Sequence, residues 1–63
     1  MNNKVKEYRR TMPRMTQRRL AKLVNVSRQT IIAIEKGQVP SVVIASKLAR
    51  ILRVPVETLF PNV

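Results

Sequence analysis

Apolar side chains recur along this chain with helical period, in short segments broken by proline, glycine or polar turns. In KVKEYRRTM, Lys4 to Met12, the positions Val5, Tyr8, Arg9 and Met12 share one stripe at i, i+3, i+4 and i+7 spacing, with Asn2 or Asn3 available as N-cap. The stripe carries a cation, Arg9, on an otherwise inward face, where it needs a partner. Pro13 stops this helix, because it pushes Met12 out of the α region and donates no hydrogen bond.

Thr16 is the N-cap of a second helix, TQRRLAKLV, in which Leu20, Leu23 and Val24 form the apolar side and Ala21 permits a close neighbour. Asn25 ends it, since asparagine tolerates the left-handed conformation that a sharp turn between helices requires. Val26 then precedes a new N-cap, Ser27, and is placed to pack back on the helix that follows. In that third helix a step of about 100° per residue sets Thr30, Ile31, Ile34 and Glu35 on one side. Arg28, Gln29, Ile32, Ala33 and Lys36 fall on the other, and Gly37 caps the C-terminus. Glu35 lies at the edge of the inward side, where it can meet Arg9.

After QVP, Ser41 caps a fourth helix running to about Leu52, with Val42, Ala45, Leu48, Ala49 and Leu52 on one stripe. Val43, Ile44 and Ile51 extend its apolar surface beyond one face, which points to a second contact. A last turn, PVETLF, starts at Pro55, favoured at the first helical position, and stops before Pro61. The pattern predicts an all-α domain of five helices spanning residues 1–63, with no repeat, low-complexity tract or linker.

With 63 residues only one core can be closed, and with one Tyr, one Phe and no Trp or Cys it must be built from Leu, Ile, Val, Ala and Met. Thirteen Lys and Arg against three acidic residues leave a formal charge of +10, which repels itself and calls for a polyanionic partner, nucleic acid first. No run approaches the ~18 apolar residues of a membrane span, and the N-terminus lacks a signal-peptide core, so a cytoplasmic, nucleoid-associated location without membrane contact is expected. Catalysis is disfavoured: there is no His or Cys, the carboxylates Glu7, Glu35 and Glu57 are scattered, and the single glycine makes no phosphate loop. No cofactor, metal or small-molecule ligand is expected.

Gln17 opens the second helix and Ser27-Arg28-Gln29 opens the third. Helix N-termini offer unpaired N–H groups to phosphate, and Gln or Arg there can present paired donors and acceptors to base edges. The stretch TQRRLAKLVNVSRQTIIAIEKG resembles the helix-turn-helix of the lambda-repressor and Cro-like (XRE-type) family, T-Q-x-x-L-A-x-x-x-G-V-S-x-x-x-I-x-x-I/W-E-x-G. Thr16, Gln17, Leu20, Ala21, Val26, Ser27, Ile31, Ile34, Glu35 and Gly37 match. PSVVIASKLARIL and VPVETLF are similar to the family's later segments, so the likeness covers nearly the whole chain.

The resemblance implies a compact five-helix fold and sequence-specific binding of duplex DNA, usually by homodimers on palindromic operators. It assigns Arg28 and Gln29 to base edges, with Ile32 and Ala33 meeting thymine methyls or the sugar edge. Gln17 becomes a phosphate or base contact that orients the recognition helix, Ser27 a cap and phosphate contact near the backbone, and Lys36 a phosphate contact. Arg9 matches a first-helix arginine that pairs with Glu35, with Arg10 as the alternative because Pro13-Arg14 is longer than the family's usual single glycine. Arg18-Arg19 stands where the family often has an acidic pair, adding phosphate affinity and salt dependence, with Arg18 the phosphate contact. Asn25 replaces the turn glycine and GQVPS is a residue shorter than the common loop. Arg53 replaces a glycine, at a cost on the order of 1 kcal/mol if its φ is positive.

The expected function is therefore a stand-alone DNA-binding transcriptional regulator, most simply a repressor, reading the major groove with residues 27–36. A dimer contact is expected around Val56, Leu59 and Phe60, where the alternative is that these residues complete the monomer's core. Two other classes compete. A protein-binding antirepressor or antitoxin-like module explains exposed apolar groups but not the charge, and a non-specific nucleic-acid coat explains the charge but not VSRQ.

Overall fold

The computed structural model describes residues 3–61, which form five helices and, among the described residues, no strand: α1 (Val5–Arg10), α2 (Gln17–Val24), α3 (Arg28–Glu35), α4 (Val42–Leu52) and α5 (Val56–Leu59). The expected all-α fold is what the chain adopts. Three starts are set by a hydroxyl one residue before the helix. Thr16, Ser27 and Ser41 have extended backbones, and their side chains accept from the amides of Arg19, Thr30 and Ile44, each satisfying a donor that the first helical turn leaves unpaired.

The ends are equally local. Asn25 takes the left-handed conformation at φ 67°, and Asn25 N–H donates to Lys22 C=O while Val26 N–H donates to Ala21 C=O. Gly37, at φ 119°, repeats this pairing for α3, with Gly37 N–H to Ile34 C=O and Gln38 N–H to Ala33 C=O. Both are Schellman ends, which satisfy carbonyls that the last helical turn leaves unpaired. Arg53 closes α4 at φ 61°, so its position does need a positive φ and carries the expected cost of about 1 kcal/mol.

Several expectations need correction. Helix α1 ends at Arg10, not Met12: Thr11 Oγ1 donates to Tyr8 C=O at 2.6 Å and the chain turns before Pro13. Of the two proposed caps, Asn2 lies outside the described residues. Asn3 acts from one position further out, its Oδ1 accepting from Val5 N–H at 3.1 Å, while Lys4 occupies the N-cap position. Pro55 is likewise the N-cap of α5, and Val56 is the first helical residue.

The core is assembled from Val5 of α1, Leu20, Ala21 and Val24 of α2, Ile31 and Ile34 of α3, Ala45, Leu48, Ala49 and Leu52 of α4, Leu59 and Phe60. Leu23 and Val42 do not join it, although both were placed on inward stripes; they are 51% and 82% exposed. Each sits on the flank of its stripe, and no neighbouring helix closes over that flank. Val43 is exposed too, whereas Ile44 and Ile51 are part-buried against the core. Helix α2 packs chiefly on α3 and also on α4, α1 packs on α3 and α4, and α5 packs on α4. Lys4 N–H donates to Leu59 C=O at 2.9 Å, joining the two ends of the described chain.

Candidate nucleic-acid interface

The two helices of the turn are held at a fixed angle by one buried carboxylate. Glu35, at the last turn of α3, accepts from Arg9 Nε at 2.7 Å through Oε2 and from Gln17 Nε2 at 3.0 Å through Oε1. The pair is largely out of solvent, with the Arg9 and Glu35 side chains 12% and 4% exposed. Arg9 Nη1 also donates to Met15 C=O at 2.9 Å. One guanidinium thus ties α1, the α1–α2 turn and α3 together, and Gln17 adds the start of α2. Between the two arginines open from the sequence, Arg9 holds Glu35, and Arg10 is exposed.

Gln17 is in an arrangement that sequence reasoning missed. Its amide nitrogen already donates to Glu35, and one N–H of that NH2 group and the side-chain oxygen remain for another partner. Asn3 was noted only as a cap, yet its Nδ2 also donates to Ile34 C=O at 2.7 Å, bracing the C-terminal end of α3. Neither contact leaves a periodic signal, because each depends on residues distant in sequence. Arg14 also went unread. Met15 N–H donates to Met12 C=O at 3.3 Å, closing a turn with Pro13 second and Arg14 third at φ 61°, a position that usually takes glycine.

With its inward side fixed by Ile31, Ile34 and Glu35, α3 leaves Arg28, Gln29 and its C-cap Lys36 exposed. Ile32 and Ala33 lie between them, part-buried, offering short apolar surface rather than an open patch. The Ser27 hydroxyl is occupied in capping, bonded to Thr30 N–H at 3.1 Å and to Thr30 Oγ1 at 2.9 Å. The amides of Arg28 and Gln29, in the first turn, have no acceptor within the helix. Arg18 is exposed on α2 near Gln17. The surface thus combines cations, amide donors and acceptors and two small apolar groups along one helix, the mixture that reads base edges and phosphates.

The expected dimer residues are placed differently. Leu59 and Phe60 are buried, completing the monomer's core, and only Val56 of the three is part-exposed. Among the described residues no group of three or more His, Asp or Glu is placed to hold a metal ion, and no helix is long and apolar enough to cross a membrane.

Residues 5–59 match the family model described as helix-turn-helix. An HTH-type transcriptional regulator of Methanocaldococcus jannaschii is 51% identical over 61 residues, covering 95% of this chain and 91% of its own. Another, of Methanothermobacter thermautotrophicus, is 44% identical over 62 residues, with coverage of 95% and 88%. The HTH-type transcriptional regulator YgzD of Bacillus subtilis is 43% identical over 61 residues, with coverage of 95% and 91%. The chain belongs to the helix-turn-helix family, which the residue pattern from Thr16 to Gly37 resembles.

Proposed function

We propose that this protein is a transcriptional regulator that binds duplex DNA sequence-specifically, inserting α3 into the major groove and repressing where its site overlaps a promoter. The observation that carries the reading is the lengthwise division of α3. Its inward side is locked by two apolar side chains and the doubly bonded Glu35, while Arg28, Gln29 and Lys36 stand exposed on the other. Arg28 and Gln29 read base edges, Ile32 and Ala33 contact thymine methyls or sugar, and Lys36, Arg18, Gln17 and the first-turn amides beside Ser27 hold phosphates. The relatives' name of HTH-type transcriptional regulator supports the same assignment. Two copies on a palindrome would present their α3 helices about 34 Å apart, one turn of the duplex. Of the three residues expected at a dimer contact, Val56 is the one left part-exposed by the monomer's core.

Selection of sites from random duplexes, followed by titration of selected and random DNA at two salt concentrations, tests this. A regulator shows a specificity ratio of ~10³ or more, a coating protein a ratio near one, and a protein-binding module no useful affinity for either. Arg28→Ala or Gln29→Ala should lose ~1–3 kcal/mol at particular base pairs, while Lys36→Ala should weaken all sequences alike and flatten the salt slope by ~0.9. Equal losses on selected and random DNA for Gln29→Ala would remove it from the readers.

A further inference from the structure

The thirteen cations are not gathered on the reading side. Arg9 is committed to Glu35, and the helix-turn-helix holds five others: Arg18, Arg19, Lys22, Arg28 and Lys36. Helices α1 and α4 carry as many again on their solvent faces. Lys6 and Arg10 are one turn apart on α1, Lys47 and Arg50 lie three apart on α4, and Arg53 ends α4; all five are exposed. Among the described residues the only ion pairs are Lys4–Glu7 and Arg9–Glu35, so these five have no acidic partner. The remaining carboxylate side chain among the described residues is Glu57 of α5, exposed.

Helices α1 and α4 pack on each other. Helices α3 and α4 both pack on α1 and α2 but scarcely on each other, and the cations of α4 are separate in the chain from those of the helix-turn-helix. A one-sided reader gains little from a second concentration of charge, and the repulsion within it opposes folding. At Arg53 the positive φ adds a local cost that the dipole of α4 offsets only in part.

We infer that the surface carrying Lys6, Arg10, Lys47, Arg50 and Arg53 is a second polyanion-binding face, and that its partner is the phosphate backbone of a second DNA duplex. The inference rests on the DNA-binding reading above and extends it: one molecule bound through α3 bridges two duplexes. Duplex DNA fits better than an anionic membrane. The large apolar side chains that α4 exposes are the first-turn valines Val42 and Val43, Val43 one turn before Lys47, and neither α1 nor α4 exposes a Trp, Phe or Leu, the side chains by which amphipathic helices insert into a membrane.

The test uses the full chain on beads bearing a short duplex of its selected site, washed and then offered a fluorescent random-sequence duplex. Wild type should capture the second duplex. The variant Lys47→Gln/Arg50→Gln/Arg53→Asn, whose asparagine tolerates the left-handed turn, should bind the first duplex within about 3-fold of wild type yet capture the second about ten-fold less, with a salt slope flatter by ~0.9 per cation lost from the contact. Lys6→Gln/Arg10→Gln should show the same separation from the α1 side. Undiminished capture by both variants would assign bridging to a second reading helix and overturn the proposal. Equal loss on both duplexes would place these cations on the first duplex and overturn it as well. Capture of phosphatidylserine vesicles but not of a second duplex would overturn it in favour of a lipid partner. Failure of wild type to hold even the first duplex would refute the DNA-binding reading itself, an outcome distinct from first-duplex binding without capture.

Discussion

Replacing Arg9 by Met should nearly unfold the domain, and replacing Glu35 by Met in the same chain should restore most of the loss. Glu35 is 4% exposed and accepts from only two donors, the Arg9 guanidinium and the neutral amide of Gln17. Removing Arg9 strands that carboxylate, a loss of about 3–5 kcal/mol for a buried pair. A domain of 63 residues has only about 3–9 kcal/mol in total, so the single variant sits at the edge of folding. Removing both charges ends the desolvation problem, leaving chiefly the Met15 carbonyl that Arg9 Nη1 had satisfied; that residual loss is about 1–2 kcal/mol. Urea unfolding followed by circular dichroism, with trimethylamine oxide present for the weakest variant, measures all four corners of the cycle. Both single variants should fall well below the double, a coupling of at least about 2 kcal/mol. Losses that simply add, with coupling under about 0.5 kcal/mol, would refute the claim that the bridge is buried and acts as a unit.

Other expectations follow from the same geometry. Arg14→Gly relieves a positive φ and should raise stability by about 0.5–1 kcal/mol, or several degrees in Tm for a domain of this size; a lower Tm would mean that the arginine side chain does more than the backbone strain costs. Leu20→Ala removes a fully buried side chain and should cost about 2–5 kcal/mol, whereas Leu23→Ala, half exposed, should stay within about 1 kcal/mol in the same melts. Ser27→Ala deletes the α3 cap and should cost about 1 kcal/mol, seen as faster amide exchange at Thr30, with DNA affinity falling alike on all sequences.

Much of this domain is decided within four or five residues of chain. Thr16, Ser27 and Ser41 start helices because a hydroxyl reaches an amide three residues ahead, and Asn25 and Gly37 end them because each can adopt a positive φ. The outward placement of Arg28, Gln29 and Lys36 follows from the same local rule, since Ile31 and Ile34 fix which side of α3 turns in. Fold class and the exposed strip of α3 were therefore legible in the order of residues alone. The choices left to the tertiary structure are those made between distant segments. Periodicity placed Leu23 and Val42 on their apolar stripes, but only the neighbouring helices determine how wide a stripe is covered, and both residues remain in water. Leu59 and Phe60 could equally have faced a second copy; the packing of α5 on α4 turns them into the core. Glu35 meets Arg9 across 26 residues and Gln17 across 18; the helical stripe set Arg9 inward, but only the closed fold excludes Arg10 as the partner. A cap is a short-range hydrogen bond that the backbone itself delivers, whereas a buried ion pair exists only once three helices have closed around it and excluded water.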